Sequence, residues 1–474
     1  MRTNSIPNKW LAITGIGLGV FMATLDASIV NIALPTLTKA LHAEFAAVEW
    51  VILSYSLVLT TLMLGVARLG DMLDKKRIYL TGLGVFTLGS FLCGLSPSIG
   101  WLIAARALQG LGAVMMQALG SAIVTEVFPP SERGRALGII GGIVSVGIAV
   151  GPPLGGLLIG LSGWQTIFWV NVPIGLLTAT AVLRFVPSRP AARPGQRFDF
   201  AGMFILLVTL ACYALGMTFG QRDGFGALQA MVLLAAAIAG LLGFVWVETR
   251  VRQPMVDLSL FRSQLFSTNL LMGFLVFIVL SGGFILPFFL EYVKGYPTEL
   301  IGLFMMASPV MMGIMAPIAG SLSDRFGSRQ IGVVGLLVLF GGCLAMSTIH
   351  PGVTPLGIIL RLVPFGAGLG IFQSPNNSAI MGAAPRERLG VASGLMSLSR
   401  TLGNSTGLPL MGSIFAAQVA ALAGLPPGSD PTAASAAALV SGVTLVYHVS
   451  AGILLAVLSL AVFSLLRQPR AKPA

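Results

Sequence analysis

The chain carries one carboxylate well inside an apolar segment, Asp26 in the stretch FMATLDASIVNIALP. An ionised Asp at the centre of a membrane helix costs about 2.5 to 3.5 kcal/mol, so such a residue needs either a partner or a task. Removal from water disfavours its charged form, which makes Asp26 the candidate for binding and releasing a proton. The alternative chemistry is a structural ion pair with a buried cation such as Arg106. Helical spacing places Thr24, Ser28, Asn31 and Pro35 on one stripe and Asp26 on roughly the opposite face. That helix is therefore polar on two sides.

Two more polar stripes carry cations. Arg106 leads Gly110, Ala113, Gln117 and Ser121, while Arg400 follows Ser393 and Ser397 and precedes Asn404 and Gly407. Polar stripes within hydrocarbon must face protein or water. Both are expected to point inward, and Arg106 would then either bias proton binding at Asp26 or simply hydrogen-bond neighbouring helices. Asn31, Gln117, Arg361 and Asn376 are the candidate lining of a cargo cavity. A different task falls to Gly147, Gly151 and Gly155, whose four-residue spacing lets another helix backbone approach closely. Pro152 and Pro153 remove two helical N–H donors from the same segment and should bend it. His42, His350 and His448 lie far apart, and no Cys/His/carboxylate cluster has ligand spacing, so no metal or other cofactor is expected.

The elements that must hold these residues follow from composition. Of 474 residues, 55% are apolar and 9% charged, against about 25% charge in an ordinary soluble domain. That excludes a disordered chain and a large soluble catalytic domain. Fourteen apolar segments, from near 11–34 to near 441–466, each approach or exceed the roughly 20 residues a membrane helix needs. They are too long for barrel strands, which leaves helices as the spanning solution. Cys93, Cys212 and Cys343 fall inside these spans and read as small buried hydrophobes.

The net charge of +12 could suggest nucleic acid, but its placement gives another explanation. With the N-terminus in the cytoplasm, 22 of the 28 Lys and Arg fall on the inner side. Only Lys39, Arg222 and Lys294 fall outside, and Arg106, Arg361 and Arg400 lie within spans. This is the positive-inside pattern of a multi-pass inner-membrane protein with both termini cytoplasmic. No aromatic-interleaved basic patch remains to bind nucleic acid.

The chain also contains itself twice. ARLGDMLDKKR near residue 67 matches GSLSDRFGSR near residue 320, RALQGLGA matches RLVPFGAG, ERGRALG matches ERLGVASG, and GPPLGG matches GLPLMG. The offsets stay between 253 and 256 in the same order, the signature of two parallel repeats. The expected organisation is a six-helix bundle over 1–186, cytoplasmic linkers and two inserted helices over 187–262, and a second six-helix bundle over 263–474. Two such bundles around a midplane site suit alternating access, which favours a secondary transporter over a channel or receptor.

These motifs together resemble the fourteen-helix drug/proton antiporter branch of the major facilitator superfamily, over nearly the whole chain. TLDASIVNIALP resembles its first-helix signature, with Asp26, Asn31 and Pro35 in place. ARLGDMLDKKR and GSLSDRFGSR resemble the superfamily's loop motif and its repeat, GIAVGPPLGG the antiporter signature, and WQTIFWVNVPIG the entry to the sixth helix. The first loop motif departs at Ala67, Met72 and Asp74, where the family shows Gly, Arg and Gly. Asp71, Asp324 and Arg325 take the family's latch positions, where carboxylates cap helix ends and meet basic residues.

The resemblance implies an all-α, non-enzymatic, monomeric exporter of small amphipathic compounds, driven by protons within the lipid bilayer. No G-x-x-x-x-G-K-[ST] run for ATP is present. A dedicated exporter of one metabolite or lipid, and a non-transporting membrane sensor, are the alternatives.

Overall fold

The computed structural model describes residues 9–128, 133–188, 199–251, 256, 258–385, 389–424, 426 and 430–466. Among them every regular element is helical, and fourteen helices are long and apolar enough to cross a membrane. The first six are α1 (Lys9–Ala40), α2 (Phe45–Met72), α3 (Lys75–Gly94), α4 (Ile99–Val127), α5 (Arg133–Ser162) and α6 (Thr166–Phe185). Two more follow the 189–198 stretch: α7 (Phe200–Asp223) and α8 (Leu228–Glu248). The last six are α9 (Gln264–Val293), α10 (Thr298–Phe326), α11 (Ser328–Ser347), α12 (Pro355–Ala383), α13 (Leu389–Ala423) and α14 (Ala436–Leu466).

Helix starts are set by short polar side chains that accept from first-turn N–H groups. Ser98 does so for α4, Asp199 for α7, Ser263 for α9 and Thr354 for α12. At α3 the cap is Asp74, which accepts from the Lys76 N–H at 2.9 Å. The sequence assigned helix-end roles to Asp71 and Asp324, whose side chains lie outside the described set. Asp74, a departure from the family pattern, therefore has a local reason. It also accepts from the Ser188 hydroxyl at 2.8 Å and meets Arg77 at 3.7 Å. Asp74→Ala is expected to cost about 1 kcal/mol, the usual loss of an N-cap, read as a lower thermal unfolding midpoint of the purified protein. The matching corner between α10 and α11 turns on Gly327 at φ +95°, a conformation that L side chains rarely adopt.

The chain divides into two units, Met1–Val256 with Tyr296–Leu303, and Asp257–Gly295 with Phe304–Ala474. The inserted pair α7 and α8 belongs to the first, where α7 packs on α2 and α8 packs on α7.

The duplication is visible as repeated packing. In the first unit a Cβ on Gly82 would crowd the Gly112 carbonyl on α4, and one on Gly89 would sit 2.7 Å from the Gln109 Cα. In the second, a Cβ on Gly335 would crowd the Phe372 backbone, one on Gly342 would sit 2.6 Å from the Phe365 nitrogen, and one on Gly368 would meet Leu339. Removing side chains at these points brings α3 against α4, and α11 against α12, at backbone distance. A second echo joins α1 to α5 and α9 to α13. The Ser28 hydroxyl donates to the Gly147 carbonyl at 3.3 Å, while the Ser281 hydroxyl donates to the Asn404 carbonyl at 3.4 Å.

Helix α5 runs continuously through Pro152 and Pro153. The conspicuous irregularity is in α9, which tightens to a 3₁₀ turn at Gly282–Ile285, passes Pro287, and loosens to a π turn at Phe289–Val293.

Candidate functional site

The two polar faces of α1 meet different helices. On one, Thr24, Ser28 and Ile29 receive the glycine stripe of α5: a Cβ on Gly147 would overlap the Thr24 hydroxyl, one on Gly151 the Ser28 hydroxyl, and one on Gly155 would lie 2.5 Å from Ile29 Cγ1. The other presents Asp26 to α4 and α6, whose amides also reach Ser90 of α3.

There Asp26 and Arg106, at 0% and 1% exposure, form an ion pair at 2.6 Å. Arg106 Nη1 donates to Asp26 Oδ2, and also to Gln109 Oε1 at 2.6 Å. The remaining carboxylate oxygen, Oδ1, accepts from Gln109 Nε2 and from Asn171 Nδ2, both at 2.8 Å. Those two amides also donate to the Ser90 hydroxyl, at 2.6 and 3.3 Å. Arg106 Nε donates to the Val51 carbonyl at 3.0 Å, and its guanidinium lies 4.2 Å from the Tyr55 ring centre. Cys93 Sγ donates to Gln109 Oε1 at 3.6 Å.

Desolvating two charges is repaid only when geometry is good and the remaining lone pairs are satisfied. Here α2, α4 and α6 supply those bonds, so the pairing offered by the sequence as the structural alternative for Asp26 is formed in this conformation. Removing either charge alone would leave the other desolvated with only neutral hydrogen-bond partners.

The sequence did not single out Gln109, Asn171, Ser90 or Tyr55. Gln109 follows Arg106 by three positions, on the same side of α4, and Asn171 lies within the WQTIFWVNVPIG stretch. Ser90 and Tyr55 carried no signal. Gln109→Leu is expected to lower stability by about 1 to 3 kcal/mol, because it strips a bond each from Asp26 and Arg106 at full burial. Thermal unfolding of the purified variant measures that loss.

The second unit holds a cation with different company. Arg400 Nη2 donates to Asn377 Oδ1 at 2.5 Å and its guanidinium lies 5.5 Å from the Phe277 ring centre. The two residues line a small recess with Gly273, Phe277, Asn376 and Ser399. Asn376 is buried there with its Oδ1 unpartnered.

The other candidate cavity residues are scattered. Asn31 donates to the Ala27 carbonyl of its own helix at 3.2 Å. Gln117 is half-buried on α4. Arg361, the repeat counterpart of Arg106, lies near the start of α12 and donates to Thr348 Oγ1 at 3.0 Å and to the Gly357 carbonyl at 2.9 Å. Its place in the repeat does not reproduce the ion pair, because Val279 stands at the corresponding offset where α1 has Asp26. Arg325 is exposed, 5.3 Å from the Phe326 ring centre.

With this geometry in view, comparison with known proteins decides the family. The profile of the Major Facilitator Superfamily matches residues 16–408. The chain belongs to the Major Facilitator Superfamily. It is 36% identical over 413 residues to the multidrug resistance protein Stp of Mycobacterium tuberculosis (strain CDC 1551 / Oshkosh), covering 87% of this chain and 76% of that one. It is 34% identical over 411 residues to the riboflavin transporter RibZ of Clostridioides difficile (strain 630), covering 86% and 88%. Among solved structures, a bacterial homologue of the human lysosomal transporter Spinster superposes with TM-score 0.68 at 18% identity, over 99% of this chain and all of that one. This major facilitator protein is thus a multi-pass membrane transporter rather than an enzyme.

Proposed function

We propose that the protein exports small amphipathic compounds across the cytoplasmic membrane in exchange for protons, by alternating access. Both termini lie in the cytoplasm on this reading, which the distribution of Lys and Arg supports. The observation that carries the proposal is the Asp26–Arg106 pair, a carboxylate and a cation sealed within one bundle at 2.6 Å. A proton entering Asp26 breaks the compensation and favours a different packing of α1, α4 and α6. Its release restores the pair.

The energetics suffice. One proton crossing about 100 mV releases about 2.3 kcal/mol, enough to hold roughly a 40-fold gradient of a neutral cargo. Multidrug cargo is supported by likeness to Stp. Likeness to RibZ, named for a single metabolite, supports the second reading of a dedicated exporter.

The two readings separate in one assay. Inverted vesicles with an imposed pH gradient are offered a panel of amphipathic dyes, drugs and flavins. Accumulation of several unrelated members supports broad export, and accumulation of one supports the dedicated reading. No gradient-dependent flux of any member contradicts both.

A further inference from the structure

A second intramembrane carboxyl group was hidden at the edge of its span. Glu49 lies in the second turn of α2 and is 2% exposed. Its Oε2 accepts one hydrogen bond, from Nε2 of Gln221 near the end of the inserted helix α7. Its other oxygen, Oε1, is buried without a partner. So is Gln221 Oε1, on the other side of the same contact.

Two acceptor oxygens are thus orphaned where an acid meets an amide. Buried polar atoms are almost always paired, so a double exception at one contact calls for a cause. A proton on Glu49 Oε1 would supply it. The acid O–H then donates to Gln221 Oε1 while the amide N–H donates to Glu49 Oε2, closing a two-bond ring that leaves neither atom unmet. An ionised carboxylate offers no donor, and no compensating charge pairs with it among the described residues.

Among the described residues Glu49 has no ion pair. Arg106 on α4 bonds the Val51 carbonyl two positions along α2, but its Nη1 is held by Asp26 and Gln109. Arg222, beside Gln221, is exposed and meets Asp223 at 3.6 Å. Lys39, His42 and Glu44 are exposed at the α1–α2 turn.

We propose that Glu49 is a proton-binding site distinct from Asp26, occupied in this conformation, with Gln221 as its hydrogen-bonding partner. Taking up or losing that proton makes or breaks the polar tie between α2 and the inserted helix α7. The site gains its meaning for transport from the proton-coupled reading, but its occupancy can be measured without any transport.

The test uses the full chain in lipid. Infrared difference spectra between wild type and Glu49→Gln, recorded across the pH range in which both stay folded, should show loss of a carboxylic-acid C=O band at neutral pH. Glu49→Gln resembles the neutral acid in shape and should fold. In wild type alone, an apolar carbodiimide, which modifies protonated carboxyls in dry surroundings, should label Glu49, with labelling lost as the pH rises.

A carboxylate band at neutral pH in place of the acid band, with Glu49 unlabelled, overturns the proposal. Labelled Glu49 in a protein whose export ignores a pH gradient would keep this site and remove the coupling. Gradient-driven export with Glu49 ionised would do the reverse.

Discussion

Asp26→Asn should leave Arg106 without its counter-charge inside the first bundle, lowering stability by about 3 to 5 kcal/mol, the usual consequence of breaking one side of a buried pair. Gradient-driven export should also disappear. Two effects in one variant would be hard to interpret, so the informative protein is the double variant Asp26→Asn with Arg106→Gln. It removes both charges while keeping groups able to bond Gln109, Asn171 and the Val51 carbonyl, which all touch the pair. Folding should recover, because no uncompensated charge is left buried, while export should stay indifferent to the pH gradient. A double variant that folds and still pumps uphill would reduce the pair to a structural clasp.

Gly151→Leu should slow the transport cycle. A Cβ at that position already overlaps the Ser28 hydroxyl, and the Ser28 Cβ lies 2.8 Å away, so a full Leu side chain has nowhere to go between α5 and α1. Overpacking of this kind costs about 1 to 3 kcal/mol. Borne by the rearrangement of these helices, that cost corresponds to turnover lowered by about five- to 150-fold. Cargo flux in proteoliposomes, normalised to folded protein, reports it. Gly151→Ala should fall between wild type and Leu, and Ser28→Gly should relieve the Ala variant by clearing the overlapped atoms. Normal turnover by Gly151→Leu would mean that the glycine stripe has no part in the motion.

The architecture was readable because a membrane reduces the problem to hydropathy and charge. Helices must satisfy their own backbones in lipid, so apolar runs of sufficient length found all fourteen elements. The repeat was readable from four short matches, and packing extends it to glycines whose likeness is silent in sequence, such as Gly89 and Gly342. Its chemistry does not repeat: Arg361 keeps the position of Arg106 without an acid opposite it.

The site was readable only in part. Opposite charges isolated in oil gave Asp26 and Arg106 as a possible pair, but the amides around them come from positions as much as 145 residues away, and no local pattern carries that distance. Asn171 stood inside a quoted motif without a task until α6 was placed beside α1. Glu49 was missed for a simpler reason. It sits at the rim of an apolar run, where a carboxylate normally reaches water, but here it is buried against Gln221 of α7. Asp74 shows the opposite case, a departure from the family pattern that the structure uses as a helix cap.

The central claim is that protons drive uphill movement of cargo. Purified protein reconstituted in sealed liposomes, with a fluorescent amphipathic cargo equal on both sides and a pH gradient imposed, tests it most directly, with proton flux recorded alongside. The account predicts cargo accumulation on the acidic side, matched by proton movement the other way and abolished by a protonophore. Accumulation that persists after the gradient is collapsed, or cargo that only equilibrates while the gradient stands, would contradict it.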